Sequence, residues 1–119
     1  MQIITHKQAA AAIAEVVSDK IVINTIDDGK DLVGNLYFQG FDGAIIHQDA
    51  ITPGFFDLKT GIAGEILQKF SNYKIRLAIV GSFEHYQSKS LSAFIFECNN
   101  GRQVNFVASR DQALGGMFK

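Results

Sequence analysis

The chain has 119 residues, of which 47% are hydrophobic and 19% charged, and its formal net charge is -1. This composition predicts one folded domain over residues 1–119, because disordered chains combine low hydrophobicity with high net charge. The near balance of basic and acidic residues excludes a generally basic nucleic-acid-binding protein, and no apolar run approaches the roughly 18 residues of a membrane helix, so we expect neither nucleic acid nor a membrane as a partner.

The first eighteen residues carry a mixed signal. Gln2–Thr5 is typical of a strand, whereas the alanines of Gln8–Ala12 favour a helix. Three later residues are β-branched and favour a strand, namely Ile13, Val16 and Val17. We predict a β-hairpin with its turn near Lys7–Ala10, and one short amphipathic helix is the alternative for residues 7–17.

The next segment predicts a helix with a clear beginning and end. After an extended Ile21–Ile23, Thr25 and Asp28 have the spacing of a capping box. Gly40 stands where a left-handed helix stop is expected. The stripe that the helix should bury comprises Leu32, Val33, Leu36 and Tyr37.

The middle of the chain predicts a strand and a long helix. Ala44–Ile46 is a short apolar run of the kind found in a central strand. Thr52 followed by Pro53 resembles a helix start, and a second start at Asp57 should open the main helix, which runs to about Asn72. Its predicted apolar face is Ile62, Ala63, Ile66, Leu67 and Phe70. We expect Gly61 and Gly64 to let this helix approach the sheet closely.

The last third repeats the alternation of strand and helix. Ile75–Val80 is a predicted strand buried on both faces. Ser88 or Ser90 precedes a helix that should end at Gly101, with a stripe of Leu91, Phe94, Ile95 and Cys98. Val104–Val107 is the last predicted strand, and Ser109 caps a helix to about Leu114.

The order β-β-α-β-α-β-α-β-α indicates an α/β fold with a mostly parallel sheet of four or five strands. Helical crossovers between successive strands make those strands parallel. Parallel strands bring their carboxyl ends to one edge, where ligands of such sheets commonly bind.

Several segments together resemble one bacterial family. Thr52–Phe70 runs into Asn72–Gly81, and Ser88–Leu91 and Asn100–Gln103 follow. In these segments the chain resembles the domain-of-unknown-function 4180 family, and the resemblance as a whole covers nearly the full chain. That family has no established activity, so the resemblance implies kinship without chemistry.

A second, looser resemblance concerns fold order and one turn. The element order is similar to STAS-type domains, the fold of anti-sigma-factor antagonists, in which an Asp-Ser-Ser/Thr-Gly turn begins a helix. The matching stretch is Asp57-Leu58-Lys59-Thr60-Gly61, with one extra residue between the acid and the acceptor. The resemblance implies that Thr60 could accept a phosphate beside Lys59, whereas ordinary helix capping by Asp57 and Thr60 explains the same residues without a function.

The ends of the predicted strands supply a second candidate site. His47 and Asp49 follow one strand, Ser82 follows the next and Arg110 follows the last. A crevice bordered by Asp49, Thr60, Ser82 and Arg110 would bind a nucleotide or another small anionic molecule. His47 and Asp49 form a conceivable acid–base pair, although such polar rims are common on sheets of this class.

No other pattern predicts catalysis, a metal or a cofactor. The three histidines have no zinc-ligand spacing, and Cys98 falls on an apolar stripe, which indicates an inert thiol. No phosphate loop or dinucleotide fingerprint occurs. The single cysteine and the absence of a signal-peptide pattern in residues 1–6 lead us to expect a cytoplasmic protein.

Three functional hypotheses follow. The leading one is a small regulatory domain that binds a protein partner, with phosphate control at Thr60. The alternative is a small-molecule or anion-binding protein that uses the strand-end crevice, and the third is an enzyme that uses His47 and Asp49. Whether the chain forms a homodimer is left open.

Overall fold

The computed structural model describes residues 1–118, which form a five-stranded sheet and four α-helices. The strands are β1 (Gln2–Gln8), β2 (Ala11–Val17), β3 (Gly43–His47), β4 (Arg76–Val80) and β5 (Val104–Val107). The helices are α1 (Ile26–Phe38), α2 (Ile62–Asn72), α3 (Lys89–Asn100) and α4 (Arg110–Met117). No helix of this part of the chain is long and apolar enough to cross a bilayer.

The sheet has the order β1-β2-β3-β4-β5, with β1 antiparallel to β2 and every later pair parallel. The predicted α/β class and mostly parallel sheet are therefore confirmed. The hairpin is confirmed as well, and its turn contains Ala9 at a φ of 54°. The β-branched end of β2 is buried in the sheet, so tertiary burial outweighs the helix propensity of the alanines.

The two faces of the sheet are covered unequally. The larger core lies between the sheet and the helices α1, α2 and α3, with Leu36, Ile66 and Phe70 fully buried in it. The opposite face carries α4 alone, which packs Ala113 and Met117 against Ile45. Side chains of β1 and β2 on that second face therefore lie beside a single short helix.

The N-terminal caps of α1, α3 and α4 are those that the sequence predicts. The Thr25 hydroxyl accepts from the Asp28 amide at 3.1 Å, and the Asp28 carboxylate accepts from the Thr25 amide at 3.1 Å, which completes the capping box. Ser88 caps α3 and Ser109 caps α4. The last helix runs on to Met117, past the predicted end near Leu114.

The segment before α2 differs from the prediction. Pro53–Phe56 and Leu58–Thr60 are separate 3-10 turns, and Asp57 caps the second turn instead of opening the main helix. The α-helix begins at Ile62 because Gly61, at a φ of 77°, reverses the chain in a left-handed conformation. The two predicted helix starts, at Thr52–Pro53 and at Asp57, therefore mark short 3-10 turns and not the beginning of the main helix.

Two further expectations are wrong. Gly61 and Gly64 are exposed, and neither has an atom within 4 Å of the position of an added Cβ, so they do not serve close packing. Gly29 of α1 does allow close packing, between α1 and α2, because a Cβ at this position would lie 2.6 Å from the Ile66 side chain of α2. Ile21–Ile23 is not a strand, and Ile23 makes only an isolated bridge to Ile51.

Candidate functional site

A buried carboxylate lies near the middle of β2. Glu15 is the one buried charged residue within the described part of the chain, and its side chain is 4% exposed. It shares the face of the sheet that α4 covers, since the alternation of β2 places Glu15 on the side of Ile13. Burial of a charge is costly unless partners satisfy it, so its contacts decide its role.

Three cationic or titratable side chains converge on this carboxylate. The Nε2 of His6 lies 2.9 Å from Oε1, and the Nε2 of His47 lies 3.0 Å from Oε2. The Nη1 of Arg110 approaches Oε1 at 3.6 Å. All the ion pairs found among residues 1–118 meet at Glu15. We call this group of four residues the Glu15 centre.

Strand register and the helix cap bring the four residues together. Glu15 pairs with Ile4 across the hairpin, so His6 is its diagonal neighbour on the same face. His47 is the last residue of β3, which runs parallel to β2. Arg110 is the first residue of α4, placed by the Ser109 cap directly after β5.

The environment keeps Glu15 ionised. Burial raises the pKa of its carboxyl, but the hydrogen bonds from His47 and His6 and the charge of Arg110 lower it by more, so that its pKa falls below the ordinary value. An ionised carboxylate only accepts hydrogen bonds, so each imidazole must carry its proton on Nε2. The Nδ1 atoms have no protein partner among the described hydrogen bonds.

A small open depression lies over the centre. Its volume is about 230 Å³, and its walls are Glu15, His47, Ser109, Arg110 and Asp111. The His47 side chain is 40% exposed and that of Arg110 is 51% exposed, so both present polar atoms to solvent. A depression of this size holds one compact polar group.

The predicted strand-end residues divide between three places. His47 and Arg110 belong to the Glu15 centre. Asp49 lines a separate depression beside Gln48, and Ser82 lines a cavity of about 530 Å³ beside Phe83. Ser82 and Gln48 are linked, since the Ser82 amide donates to the Gln48 Oε1 at 2.9 Å. The imidazole of His47 thus pairs with Glu15, not with Asp49.

The Asp57–Gly61 turn is engaged in its own structure. The Thr60 hydroxyl shares its one proton between the carbonyls of Gly54 at 2.7 Å and Asp57 at 2.9 Å, and its oxygen accepts from the Ile62 amide at 3.2 Å. Asp57 accepts from the Lys59 amide at 3.2 Å. Through these contacts the Thr60 side chain holds its own turn together, which is a structural role.

The thiol of Cys98 has the environment of an inert group. It is half-buried on α3, and burial together with the charge of Glu97 raises its pKa. The described residues contain no group of three or more His, Cys, Asp or Glu side chains that could hold a metal ion.

Sequence reasoning missed Glu15 and His6. One signal for Glu15 was present, because it is the single charged residue in the otherwise apolar run Ala11–Val17. A charge in a buried strand requires a partner. The partners come from three other elements, and no local pattern in the sequence connects them.

Comparison with known proteins identifies the family and no activity. No curated protein matches the chain. The family model described as a domain of unknown function, DUF4180, matches residues 8–117, from the end of β1 to the end of α4. The match includes Glu15, His47 and Arg110 but begins after His6. The chain therefore belongs to the DUF4180 family.

Proposed function

We propose that this domain binds a small anionic molecule at the Glu15 centre. The observation that carries the proposal is the buried Glu15 carboxylate, which fixes two imidazoles and one guanidinium, with His47 and Arg110 half open to solvent over a depression of about 230 Å³. Glu15 orients these groups, and the ligand would meet their outer atoms.

The position of the centre favours a ligand. It lies at the carboxyl edge of β3 and β5, where parallel sheets commonly bind small molecules. The first turn of α4 adds the positive end of a helix dipole, and Arg110 is its first residue. The Arg110 guanidinium has five N–H groups, and the contact with Glu15 leaves most of them for a ligand.

Sulfate is the appropriate first probe, because it is a compact anion whose charge is constant near neutral pH. We expect NMR titration at constant ionic strength to move the signals of His47 and Arg110, which line the depression. Arg110→Gln and His47→Gln should weaken binding, and the matched surface variant Lys20→Gln should not. Shifts confined to other residues, or equal losses in all three variants, would refute the proposal.

The regulatory hypothesis with phosphate control at Thr60 has weaker support. A phosphate on Thr60 would remove the hydroxyl proton that the carbonyls of Gly54 and Asp57 share within the turn. Binding of an anionic ligand at the Glu15 centre offers a different basis for a regulatory role. We propose that the domain acts in the cytoplasm, because its single cysteine cannot form an internal disulfide and so suits a reducing compartment.

A further inference from the structure

A second cavity lies at the other end of α4. Its volume is about 340 Å³, and it opens between α4 and the strands β4 and β5. Its apolar wall includes Ala78, Val107 and Met117, and its polar wall includes two arginines, Arg76 and Arg102. This volume is within the range of small-molecule sites, which begins at about 300 Å³.

The backbone holds the guanidinium of Arg76 in place. Its Nε donates to the Arg102 carbonyl at 2.7 Å, its Nη1 to the Met117 carbonyl at 3.2 Å and its Nη2 to the Gly116 carbonyl at 3.4 Å. A guanidinium has five N–H groups, so two remain after these three bonds. A fixed guanidinium with unused donors loses little entropy when a ligand binds.

The positive charge of this wall has no acidic partner in residues 1–118. No Asp or Glu carboxylate of these residues lies within 4 Å of a nitrogen of Arg76 or Arg102, because every ion pair within residues 1–118 involves Glu15 at the other site. Burial and the nearby charge of Arg102 both lower the pKa of Arg76. Two like charges beside one cavity repel each other, and an anion between them would remove that repulsion.

We propose that the cavity bounded by Arg76 and Arg102 binds a compact anion, a carboxylate or a phosphate, that is attached to an apolar group. The anion would accept from the two guanidiniums, and the apolar group would lie against Ala78, Val107 and Met117. Bidentate pairing with carboxylate or phosphate is the geometry for which a guanidinium is suited. This site is distinct from the Glu15 centre, which lies at the first turn of the same helix.

Four probes separate the charge from the apolar part. Benzoate and phenyl phosphate carry both, benzyl alcohol lacks the charge, and inorganic phosphate lacks the ring. We expect the two aromatic anions to shift the Arg76 Nε signal and the amides of Gly116 and Met117 in NMR titrations. Benzyl alcohol and inorganic phosphate should each bind about tenfold more weakly or worse, as loss of one strong contact allows. A stronger response to benzoate than to phenyl phosphate identifies a carboxylate site, and the reverse a phosphate site.

The variant Arg102→Gln tests the charge without disturbing the fold, because Arg76 uses the backbone carbonyl of Arg102 and not its side chain. It should weaken binding of the better aromatic anion about tenfold, whereas Lys20→Gln, on an exposed loop outside the cavity, should bind as the unmodified chain does. Equal affinity of Arg102→Gln and the unmodified chain would overturn the proposal. So would equal binding of benzyl alcohol and benzoate, or shifts located at Arg110 and His47.

Discussion

Replacement of Glu15 by glutamine should destabilise the domain in a pH-dependent way. The substitution keeps the shape of the side chain and removes its charge. Hydrogen bonds to charged groups contribute about 1.5–3 kcal/mol, and neutral ones about 0.5–1.5 kcal/mol. The imidazoles of His6 and His47 each lose that difference, so Glu15→Gln should lower the free energy of unfolding by about 2 kcal/mol at pH 7. For a chain of this length, that corresponds to roughly 6–10 °C in Tm.

The sign of the pH dependence follows from the lowered pKa of Glu15 in the folded state. A carboxyl whose pKa falls on folding stabilises the fold above its ordinary pKa, near pH 4.3, and loses that contribution as pH falls through the folded value. The glutamine variant has no such group to protonate. The difference in stability between the two chains should therefore be complete at pH 7 and shrink steadily below about pH 4.

Urea unfolding at pH 7, 5, 4 and 3.5 measures this difference directly. Glu97→Gln is a matched control, because Glu97 is exposed on α3 and its side chain makes no hydrogen bond among the described residues. It should change stability by less than about 0.5 kcal/mol at every pH. If Glu15→Gln were equally destabilising at pH 7 and pH 3.5, the shape of the side chain and not its charge would hold the centre together.

Other substitutions test the packing and the turn. Gly29→Ala should lower the free energy of unfolding by about 1–3 kcal/mol, because its Cβ would meet Ile66. Gly34→Ala should raise it by about 0.5–1 kcal/mol, because no atom lies within 4 Å of an added Cβ at this position of the same helix. Thermal unfolding of both variants measures the two effects. Thr60→Ala should lower the free energy of unfolding by about 1 kcal/mol, and Thr60→Ser should restore most of it, since the hydroxyl holds the turn before α2. An unchanged Tm for Thr60→Ala would show that those bonds contribute nothing.

Local chemistry explains why so much of the fold could be predicted. The Thr25 and Asp28 side chains act within one helical turn, and Ser88 and Ser109 cap helices through amides three residues away. Alternation of strand and helix then dictates parallel pairing. The same local rule failed at Asp57, because a capping side chain satisfies a 3-10 turn as well as an α-helix, and sequence alone did not show that Gly61 would reverse the chain between them.

The candidate site depends on contacts between elements that are distant in sequence. His47 and Arg110 were predicted from their places after strands, which is a topological rule. Glu15 and His6 were not, because their proximity depends on the register of the hairpin, and a shift of one residue would turn Glu15 to the other face. Asp49 and Ser82 also follow strands, and yet they line other depressions. A position after a strand therefore predicts which edge of the sheet a residue occupies, but not which cavity it lines.

The last helix connects the two proposed sites. It has eight residues, and Gly115 and Gly116 lower its intrinsic stability. Its buried residues are Ala113 and Met117, which give it a small apolar contact with the sheet. Arginine contacts supplement that packing at both ends, since Arg110 of its first turn pairs with Glu15 and Arg76 of β4 donates to its last carbonyls. Two of the charges that would recognise anions, those of Arg110 and Arg76, are therefore also those that position α4, and an anion at either site would bind the N–H donors that these contacts leave unused.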